Sequence, residues 1–523
     1  ANGVANDIYS TGTIDLTGNG TVQFDGGIAG NRGTSGNGSI KSAVSNLVLN
    51  GDNSGYTGEF NLTAGTATVA KDAKFFGGTS NITGGNLVYN STSDLVDSAV
   101  LNMTGGNLTL GNGTDQTKLT IKGASSIEGA KVVTINNNAE LALEGKTYTV
   151  KDISGNGTFS AANSDLTVNS TSKLADSINL ATKNSKLSVI GTSADSVITA
   201  LSKGTNQNLL LTLDNSTMSK DFVFDKDAVS SLNTKNTVTV DGNVNYSGTI
   251  NNDGDLTLNG TLTSDTTGVF NNSANVNVKA SAKDYKGTYN QTAGTTTVDS
   301  SAFVFGGVKD INGGSFVIKD GEVNYTNVNL GIDSELSHVL NTATGVDNKI
   351  TSEVFKFTGS GATAKFDKGD VLLAENIKNG DLNNTISISN GKVTLGTNDY
   401  TGGTVYNFDK SDIKLGTGNT TVGNYEFSKI TGSNNKLSFN VIIKDENAEE
   451  GSKYLETDRL IVADGNNQTL DFGDIYISGK ENGWRGTYTT ETGKDVLEGN
   501  ISFSGNPNPL EITKLATGAT TSW

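Results

Sequence analysis

The sequence offers one histidine as a candidate catalytic base, His338, in the segment SELSHVL. A Ser–His–Asp hydrolase needs a histidine that an acid holds within reach of a nucleophile. The apolar flanks predict a short helix from Ser334 to Asn341, and the sequence shows no triad partners for this residue. We therefore interpret His338 as a packing or surface residue rather than a catalytic one.

A second candidate for nucleophilic chemistry is the segment Gly51-Asp52-Asn53-Ser54-Gly55. It is similar to the GDSG of secreted serine proteases, but the inserted Asn53 interrupts that motif, and a turn explains the segment better. No G-x-S-x-G stands between a strand and a helix. With one histidine and no cysteine, the usual zinc ligand spacings are impossible.

Paired carboxylates can cleave a polysaccharide, and the best local pair is Asp253-Gly254-Asp255. It lies in a tight turn between Ile250 and Leu256, so we interpret both acids as turn residues. Acids on neighbouring coils of a folded chain can still converge, and that alternative stays open. Neither an EF-hand loop nor a G-G-x-G-x-D array is present. We predict no catalytic residue, no metal and no cofactor, and the sequence does not identify a binding face.

Composition and charge narrow the class of protein. The net charge of −17 argues against nucleic acid, because a phosphate backbone requires a basic face. The absence of cysteine suits a chain that crosses a bacterial envelope unfolded, and a small first residue, Ala1, fits signal-peptidase cleavage. No apolar run is long enough for a transmembrane helix. These features favour an exported protein stabilised without disulfides.

The chain also repeats itself, which indicates how any functional residue is positioned. The stretches Tyr56 to Val88 and Tyr285 to Val317 align without a gap, with 17 of 33 positions identical. The identical positions are mostly glycines and alternating apolar or small residues, which are backbone and packing features. Internal repetition is typical of stacked-repeat architectures, and a solenoid lets 523 residues fold without one large core.

Each repeat predicts short strands joined by glycine turns. Apolar residues at alternate positions, such as Leu47 and Leu49, precede an aromatic-x-Gly unit. The five aromatic residues of these units are Tyr56, Tyr246, Tyr285, Tyr400 and Trp484. The glycine is expected either to adopt a positive φ or to make room for the neighbouring coil.

Further corners and excursions are predicted between the strands. Gly-Asn-Gly-Thr corners start at Gly18, Gly111 and Gly155. Coils of roughly 20–29 residues are expected. Two more short helices are predicted, from Asp94 to Leu101 and from Asp225 to Leu232. The fold class expected is therefore all-β, an elongated right-handed parallel β-helix.

Two motifs make the chain similar to autotransporter passenger domains. Asn398 to Thr404 reads N-D-Y-T-G-G-T and resembles the autotransporter-associated strand repeat. Near the C-terminus, Leu437 to Val441, Thr457 to Val462 and Asp464-Gly465 resemble the end of pertactin-like and AIDA-like passengers. In that family this region caps the β-helix and promotes folding, which implies a stem over residues 1–436 and a cap over 437–523.

The resemblance also implies a function. It points to an adhesin or self-association protein on the surface of a Gram-negative bacterium, not an enzyme. The partner would be a host-cell or matrix receptor, a glycan, or another copy of the chain, and membrane contact would come only through a C-terminal β-barrel outside this sequence. Two alternatives stay open: a polysaccharide-degrading enzyme on the same fold, and a structural surface-layer or fibre protein.

Overall fold

The fold was analysed in a computed structural model of the 523-residue chain. The residues described are 7–34, 36, 38–279, 282–299, 303–305, 309–320, 328–330, 334–340, 349–351, 355–377, 384–417, 423–445, 453–462, 470–478, 487–488, 500–504 and 521–522. The protein is 57% strand. Its contacts divide it into two compact units, Ala1–Leu256 and Thr257–Trp523. The predicted division into a stem over residues 1–436 and a folding-promoting cap over residues 437–523 stays a prediction.

The prediction of a parallel β-solenoid is confirmed: the strands stack as about 18 turns. A coil adds 20 residues between Glu59 and Thr79, 25 between Thr21 and Asn46, and 28 between Glu335 and Thr363. The coil from Glu140 to Thr158, with 18 residues, is shorter than the predicted range.

The elements of the first unit are β1 (Ile8–Ser10), β2 (Ile14–Leu16), β3 (Thr21–Phe24), β4 (Ile28–Gly30), β5 (Ser39–Ser42), β6 (Asn46–Leu49), β7 (Glu59–Leu62), β8 (Thr66–Val69), β9 (Thr79–Ile82), β10 (Asn86–Tyr89), β11 (Val100–Met103), β12 (Asn107–Leu110), β13 (Thr117–Ile121), β14 (Val132–Ile135), β15 (Ala139–Glu144), β16 (Thr147–Thr149), β17 (Asp152–Gly155), β18 (Thr158–Ala162), β19 (Asp165–Asn169), β20 (Lys173–Leu174), β21 (Asn179–Lys183), β22 (Lys186–Ile190), α1 (Asp195–Leu201), β23 (Asn206–Gln207), β24 (Leu209–Met218), β25 (Phe222–Phe224), β26 (Val229–Val240), β27 (Val244–Tyr246) and β28 (Thr249–Asn252).

The strands that follow are β29 (Asp255–Leu258), β30 (Leu262–Ser264), β31 (Val269–Asn272), β32 (Val276–Val278), β33 (Ala282–Tyr285), β34 (Thr288–Gln291), β35 (Thr295–Asp299), β36 (Phe303–Phe305), β37 (Lys309–Ile311), β38 (Ser315–Asp320), β39 (Val328–Leu330), β40 (Glu335–Val339), β41 (Lys349–Ile350), β42 (Phe355–Phe357), β43 (Thr363–Asp367), β44 (Asp370–Leu373), β45 (Thr385–Ser389), β46 (Lys392–Leu395), β47 (Asp399–Asp409), β48 (Asp412–Leu415), β49 (Asn424–Asp445), β50 (Lys453–Thr457), β51 (Arg459–Val462), β52 (Leu470–Ser478), β53 (Thr487–Tyr488), β54 (Asn500–Ser504) and β55 (Thr521–Ser522).

Parallel sheets run the length of the first unit because equivalent strands of successive coils pair in register. One sheet has the strand order β20-β17-β14-β12-β10-β8-β6-β3, and two others run β11-β9-β7-β5-β2 and β13-β15-β18-β21-β23. Antiparallel pairing occurs between β49 and β50, inside the predicted cap, and between β53 and β55. Parallel pairing at a constant register gives every side chain the same orientation as its counterpart one coil away.

The core is built from columns of inward-facing apolar residues. Along one sheet, Leu47, Ala67, Leu87, Leu108 and Val133 occupy equivalent positions and are fully buried. The intervening side chains are half-buried on the outer surface. This period of two is the alternation read from the sequence, and burying each such side chain stabilises the fold by roughly 1.5–3 kcal/mol.

The sequence repeat corresponds to a structural repeat. Tyr56 and Tyr285 are both fully buried. Gly65 and Gly294 both have a φ of +73°, a conformation that a side chain disfavours. The retained glycines therefore fix the same corner in both copies.

The glycine of the aromatic-x-Gly unit makes room for a ring. A Cβ on Gly58 would lie 2.5 Å from the Tyr56 ring itself, and one on Gly248 would lie 3.1 Å from the Phe224 ring. In the copy at Tyr400, the glycine has a positive φ instead, +136° at Gly402. Both predicted uses of this glycine occur, and Trp484 lies outside the described residues.

Asparagine supplies many of the other corners. Asn163, Asn184 and Asn208 have φ values of +49°, +49° and +52° and stand at equivalent corners of successive coils. The Nδ2 of Asn208 donates to the Oδ1 of Asn184 at 3.0 Å. Asparagine tolerates this left-handed conformation better than other non-glycine residues, and the stacked amides link the coils. At the predicted Gly-Asn-Gly-Thr corner, Gly155 likewise has a φ of +101°.

The three predicted helices are wrong. Residues 94–99 form no helix and lead into β11, residues 225–232 run into β26, and residues 334–340 contain β40. In the last segment Leu336, His338 and Leu340 are all buried, which is a period of two. Stacking on the neighbouring coils outweighs the local helix propensity of these short segments.

The helix that the structure describes, α1, was not predicted. Its segment Asp195–Leu201 buries Val197, Ile198, Ala200 and Leu201. Neighbours spaced by three and four residues are the mark of an amphipathic helix, so the signal was present in the sequence. The helix covers barely two turns, and so short a segment does not show enough periodicity to be distinguished from the neighbouring strands.

Candidate binding surface

His338 is placed where it cannot act on an external substrate. It lies in β40, in register between Ile318 and Phe366 of the adjacent coils, and is only 2% exposed. This position is that of a packing residue, as the sequence indicated.

The serine of the Gly51–Gly55 turn is engaged with a poor base. The Ser54 Oγ donates to the Asp52 Oδ1 at 2.5 Å, and the Lys74 Nζ lies 2.8 Å from the Asp52 Oδ2. The hydrogen bond from Lys74, followed by that from Ser54, lowers the pKa of Asp52 to about 2. A carboxylate held so firmly in its charged form does not accept a proton at neutral pH, so this trio links two coils and does not activate Ser54.

Asp253 and Gly254 form the predicted turn between β28 and β29, whereas Asp255 is the first residue of β29; both acids are exposed. Over the described ranges, no three His, Cys, Asp or Glu side chains come together as metal ligands. In the same part of the chain, no helix has the length and apolar character needed to cross a bilayer.

The first unit carries a groove on the outer side of the sheet β13-β15-β18-β21-β23. Small side chains, Ala142, Ser160 and Ala181, occupy one outward column and form its floor. Long side chains on the columns to either side form its walls, and the cavity measures about 280 Å³. The groove follows from register, because it requires small residues at the same position of three successive coils.

The groove walls bear two carboxylates, Glu140 and Glu144, at outward positions of β15. Four residues of extended strand separate their Cα atoms by about 13 Å. Glu140 is engaged, since it accepts a hydrogen bond from the Ser160 Oγ at 2.5 Å and lies 3.7 Å from the Lys118 Nζ. This carboxylate is therefore held by the coils on either side of β15.

Outside the groove, amide ladders line the outward columns. We name the outer side of β7, β9 and β11 the asparagine face; its central column is Asn61, Asn81 and Asn102. The Nδ2 of Asn81 donates to the Oδ1 of Asn61 at 3.1 Å, and the Nδ2 of Asn102 donates to the Oδ1 of Asn81 at 3.4 Å. All three side chains are half-buried, so the ladder is ordered and still open to water.

Similar ladders recur on both units. Asn107 donates to Asn86 at 2.8 Å in the first unit, and Asn290 donates to Asn271 at 2.9 Å in the second. Among the residues that the structure describes, the large apolar side chains left exposed are Tyr9, Ile190 and Val223. The outer surface therefore presents ordered rows of hydrogen-bonding groups rather than an apolar patch.

The groove and the residues that form the outward ladders were not identified from the sequence. The signal for the groove is Ala142, Ser160 and Ala181, spaced by 18 and 21 residues, and it is readable only once the pairing register is known. No protein-family model matches the chain, and neither a curated protein nor a solved structure does. The similarity to autotransporter passengers therefore rests on the sequence motifs and on a fold that is compatible with them.

Proposed function

We propose that this protein is the passenger domain of an autotransporter and acts as an adhesin or self-associating protein on a bacterial surface. The observation that carries the proposal is the set of in-register amide ladders on half-exposed columns, among them the three-coil asparagine face. The asparagine face repeats the same donors and acceptors on three successive coils. Repetition gives many weak contacts that act together, which raises the apparent affinity of a surface-bound protein.

The chemistry of the outer surface supports a polar, hydrated contact. The net charge is −17, and few large apolar side chains are exposed among the described residues. Interfaces of this kind are held by hydrogen bonds and bridging waters more than by apolar burial. A receptor or glycan rich in hydroxyl and amide groups, or a second copy with the same ladders, is the partner that this chemistry fits.

A role without catalysis is part of the proposal. The histidine is buried, the serine of the Gly51–Gly55 turn faces a carboxylate of low pKa, and the groove carboxylate Glu140 is engaged by Ser160 and Lys118. These contacts support a structural role for each of the groups. Absence of cysteine and the passenger-like motifs support secretion to the cell exterior.

The test is attachment of beads that carry the purified chain through one terminal biotin. The beads are offered immobilised matrix proteins, an array of glycans and one another, with albumin-coated beads as the control. We expect clumping or attachment above the albumin level on at least one surface. Attachment indistinguishable from albumin on all of them, with the all-β circular dichroism intact, would contradict the proposal.

The enzyme alternative is tested with the same preparation. We expect no release of reducing sugar, acid or peptide from a panel of polysaccharides, esters and proteins. Sustained product release that a groove-filling variant, Ala181→Arg, abolishes would replace the adhesin by an enzyme acting in the groove.

A further inference from the structure

One corner of the second unit has a two-coil sequence period. Four successive coils turn at segments that read DKGD, SNGK, DKSD and SNNK, beginning at Asp367, Ser389, Asp409 and Ser433. The second residue of each segment has a left-handed φ between +50° and +65°. The backbone is thus the same in all four coils, while the side chains alternate between two kinds.

The alternation is one of charge along a single column. Asp370 pairs in register with Lys392, Lys392 with Asp412, and Asp412 with Lys436. The Lys392 Nζ lies 3.9 Å from the Asp370 Oδ2, and the Lys436 Nζ lies 4.0 Å from the Asp412 Oδ1. The backbone register continues the sequence alternation by one more coil, since Asp474 pairs with Lys436. Five successive positions therefore alternate in sign.

A neighbouring column alternates between acceptors and donors. Ser389 donates to Asp367 at 2.8 Å, and Ser433 donates to Asp409 at 2.5 Å. The corner asparagine adds a bond in the same direction, from the Asn390 Nδ2 to the Asp367 Oδ1 at 2.6 Å. Here too a coil of one kind is complementary to a coil of the other kind.

The core beneath this corner does not distinguish one coil from the next. The inward residues of the same strands are Val371, Val393, Ile413 and Leu437, all fully buried aliphatic side chains. Aliphatic side chains of similar size exchange places in a core at little cost. The core alone would therefore allow a coil to stack on its second neighbour, with the coil between them looped out.

We propose that the alternating corner is a register code that forces each coil to stack on its sequence neighbour. In the native register every charge faces an opposite charge. In a register that skips one coil, Asp370 faces Asp412 or Lys392 faces Lys436, and like charges opposite each other on paired strands are destabilising.

The code acts on the choice of register more than on the stability of the native fold. The side chains of the two ion pairs are between 37% and 67% exposed. Exposed pairs of this kind contribute little to stability because solvent screens them. While the solenoid grows, however, each new coil makes an attractive charge contact in the native register and a repulsive one in the skipped register. This difference in energy favours the native register. This inference is independent of what the outer surface binds.

Two cysteines introduced into this cysteine-free chain can report the skipped register. Leu372, Thr394 and Lys414 form one half-exposed outward column. In the native fold, β46 separates positions 372 and 414, so their Cα atoms lie roughly 10 Å apart, too far for a disulfide. Skipping the coil of Lys392 brings them face to face. The disulfide formed by Leu372→Cys/Lys414→Cys during refolding therefore measures the skipped fraction.

The test variant is Asp370→Lys, which opposes Lys392 in the native register and attracts Asp412 in the skipped one. At low salt we expect the crosslinked fraction to rise about fivefold, the factor that corresponds to 1 kcal/mol. Salt at about 1 M reduces the screening length to about 3 Å and should abolish the rise. Asp412→Lys, which attracts Asp370 across the skipped coil, provides a second test if the first variant fails to refold.

Two controls separate a register code from simple loss of an ion pair. Asp370→Asn removes the same pair without attracting Asp412, and it should crosslink at the wild-type level. Asp165→Lys disturbs the exposed pair with Lys186, 3.5 Å away in the first unit, and should leave the reporter unchanged. Equal crosslinking in the Asp370→Lys and Asp370→Asn chains would overturn the proposal, as would a rise in Asp370→Lys that persists in high salt.

Discussion

The two copies of the sequence repeat have glycine corners and strands at the same positions, but several of their buried side chains differ in polarity. In the first copy, Phe60, Leu62, Ala67 and Ser80 face inward; the aligned residues of the second copy are Tyr289, Gln291, Thr296 and Lys309. All eight are buried. Glycine corners and strand register therefore specify the coil, while the core needs only side chains of suitable size whose polar groups find partners.

The polar interior of the second copy is a connected network. The Tyr289 hydroxyl bonds to the Thr296 Oγ1, which also bonds to the Gln291 Oε1 at 2.6 Å. The Gln291 Nε2 in turn is within bonding distance of the carbonyl oxygens of Gly294, Gly313 and Ser315, at 3.1–3.3 Å. Burial raises the pKa of Tyr289, so the phenol stays neutral over the physiological range. A buried network of this kind is tolerated because its members satisfy one another.

The largest expected effect comes from emptying the apolar copy. Phe60 has its ring centroid 4.7 Å from that of Phe76 and 5.8 Å from that of Phe75. Phe60→Ala should lower the stability of these coils by about 4 kcal/mol, through lost transfer energy and a cavity. Hydrogen exchange resolved to β7 and β9 measures it, because repeat proteins unfold locally. Thr68→Ala, on an outward column, is the control and should change little.

Lys309→Met should strengthen the polar copy. Burial lowers the pKa of Lys309 to about 7, and the residue is 2% exposed. An unfolded lysine has a pKa near 10.4. At pH 7 the folded state therefore disfavours the protonated amine, which lowers the free energy of unfolding by an amount on the order of 4 kcal/mol. The variant should remove most of that cost, which would appear as slower exchange in β37 and β38. Unchanged exchange there would mean that the amine remains well solvated.

The same residue gives a pH dependence whose sign follows from the lowered pKa. Since the unfolded state binds more protons above pH 7, the stability of wild-type coils around β37 should rise by about 3 kcal/mol between pH 7 and about 9.5. Below pH 7 this contribution levels off. Lys309→Met should show no such rise, and a wild-type profile that is flat over this window would refute the assignment.

Gln291→Leu introduces the residue of the apolar copy at the centre of the network. Although leucine is the more apolar side chain, it leaves Thr296 and the carbonyl groups without the amide. The expected loss is about 2 kcal/mol, the usual cost of leaving buried groups unsatisfied. Gln291→Leu/Thr296→Ala, which copies both positions of the first repeat, should recover part of the loss. Exchange in β34 and β35 reports both variants.

The smallest effect is expected at Ser80. Its hydroxyl is buried without a hydrogen-bond partner, between Phe60 and Leu101 of the adjacent coils. Ser80→Ala keeps the volume nearly constant and removes an unsatisfied group, so stability should stay within about 0.5 kcal/mol of wild type or rise slightly. A loss above 1 kcal/mol would indicate a buried water that bonds to this hydroxyl.

The sequence predicts the coil well and the identity of its interior only partly. Alternation at Leu47 and Leu49 and glycine corners such as Gly155 are local signals, and both predictions are confirmed. Lys309 shares its strand face with Ile311, so the same alternation places it inside, but a lysine is rarely buried and that pattern is easily discounted. The short helix predictions failed at Leu336 and His338 because stacking between coils is not visible in one segment.

The outer surface could not be predicted because it depends on register. The floor of the groove and the column of Asn61, Asn81 and Asn102 join residues that are about 20 positions apart, and a one-residue slip would turn each of them inward. Asparagine and threonine are abundant throughout the chain, so composition alone does not separate a ladder from a turn.

We expect the interior of the coils to set stability and the outer surface to make contact with a partner, and one paired measurement tests this separation. Bead attachment and hydrogen exchange are recorded together for Phe60→Ala and for Asn61→Thr/Asn81→Thr/Asn102→Thr, both in the full chain and below their unfolding temperatures. We predict that the first variant exchanges faster and attaches like wild type, while the second exchanges like wild type and attaches weakly. Attachment that follows core stability, or that survives removal of the amide ladder unchanged, would contradict the account.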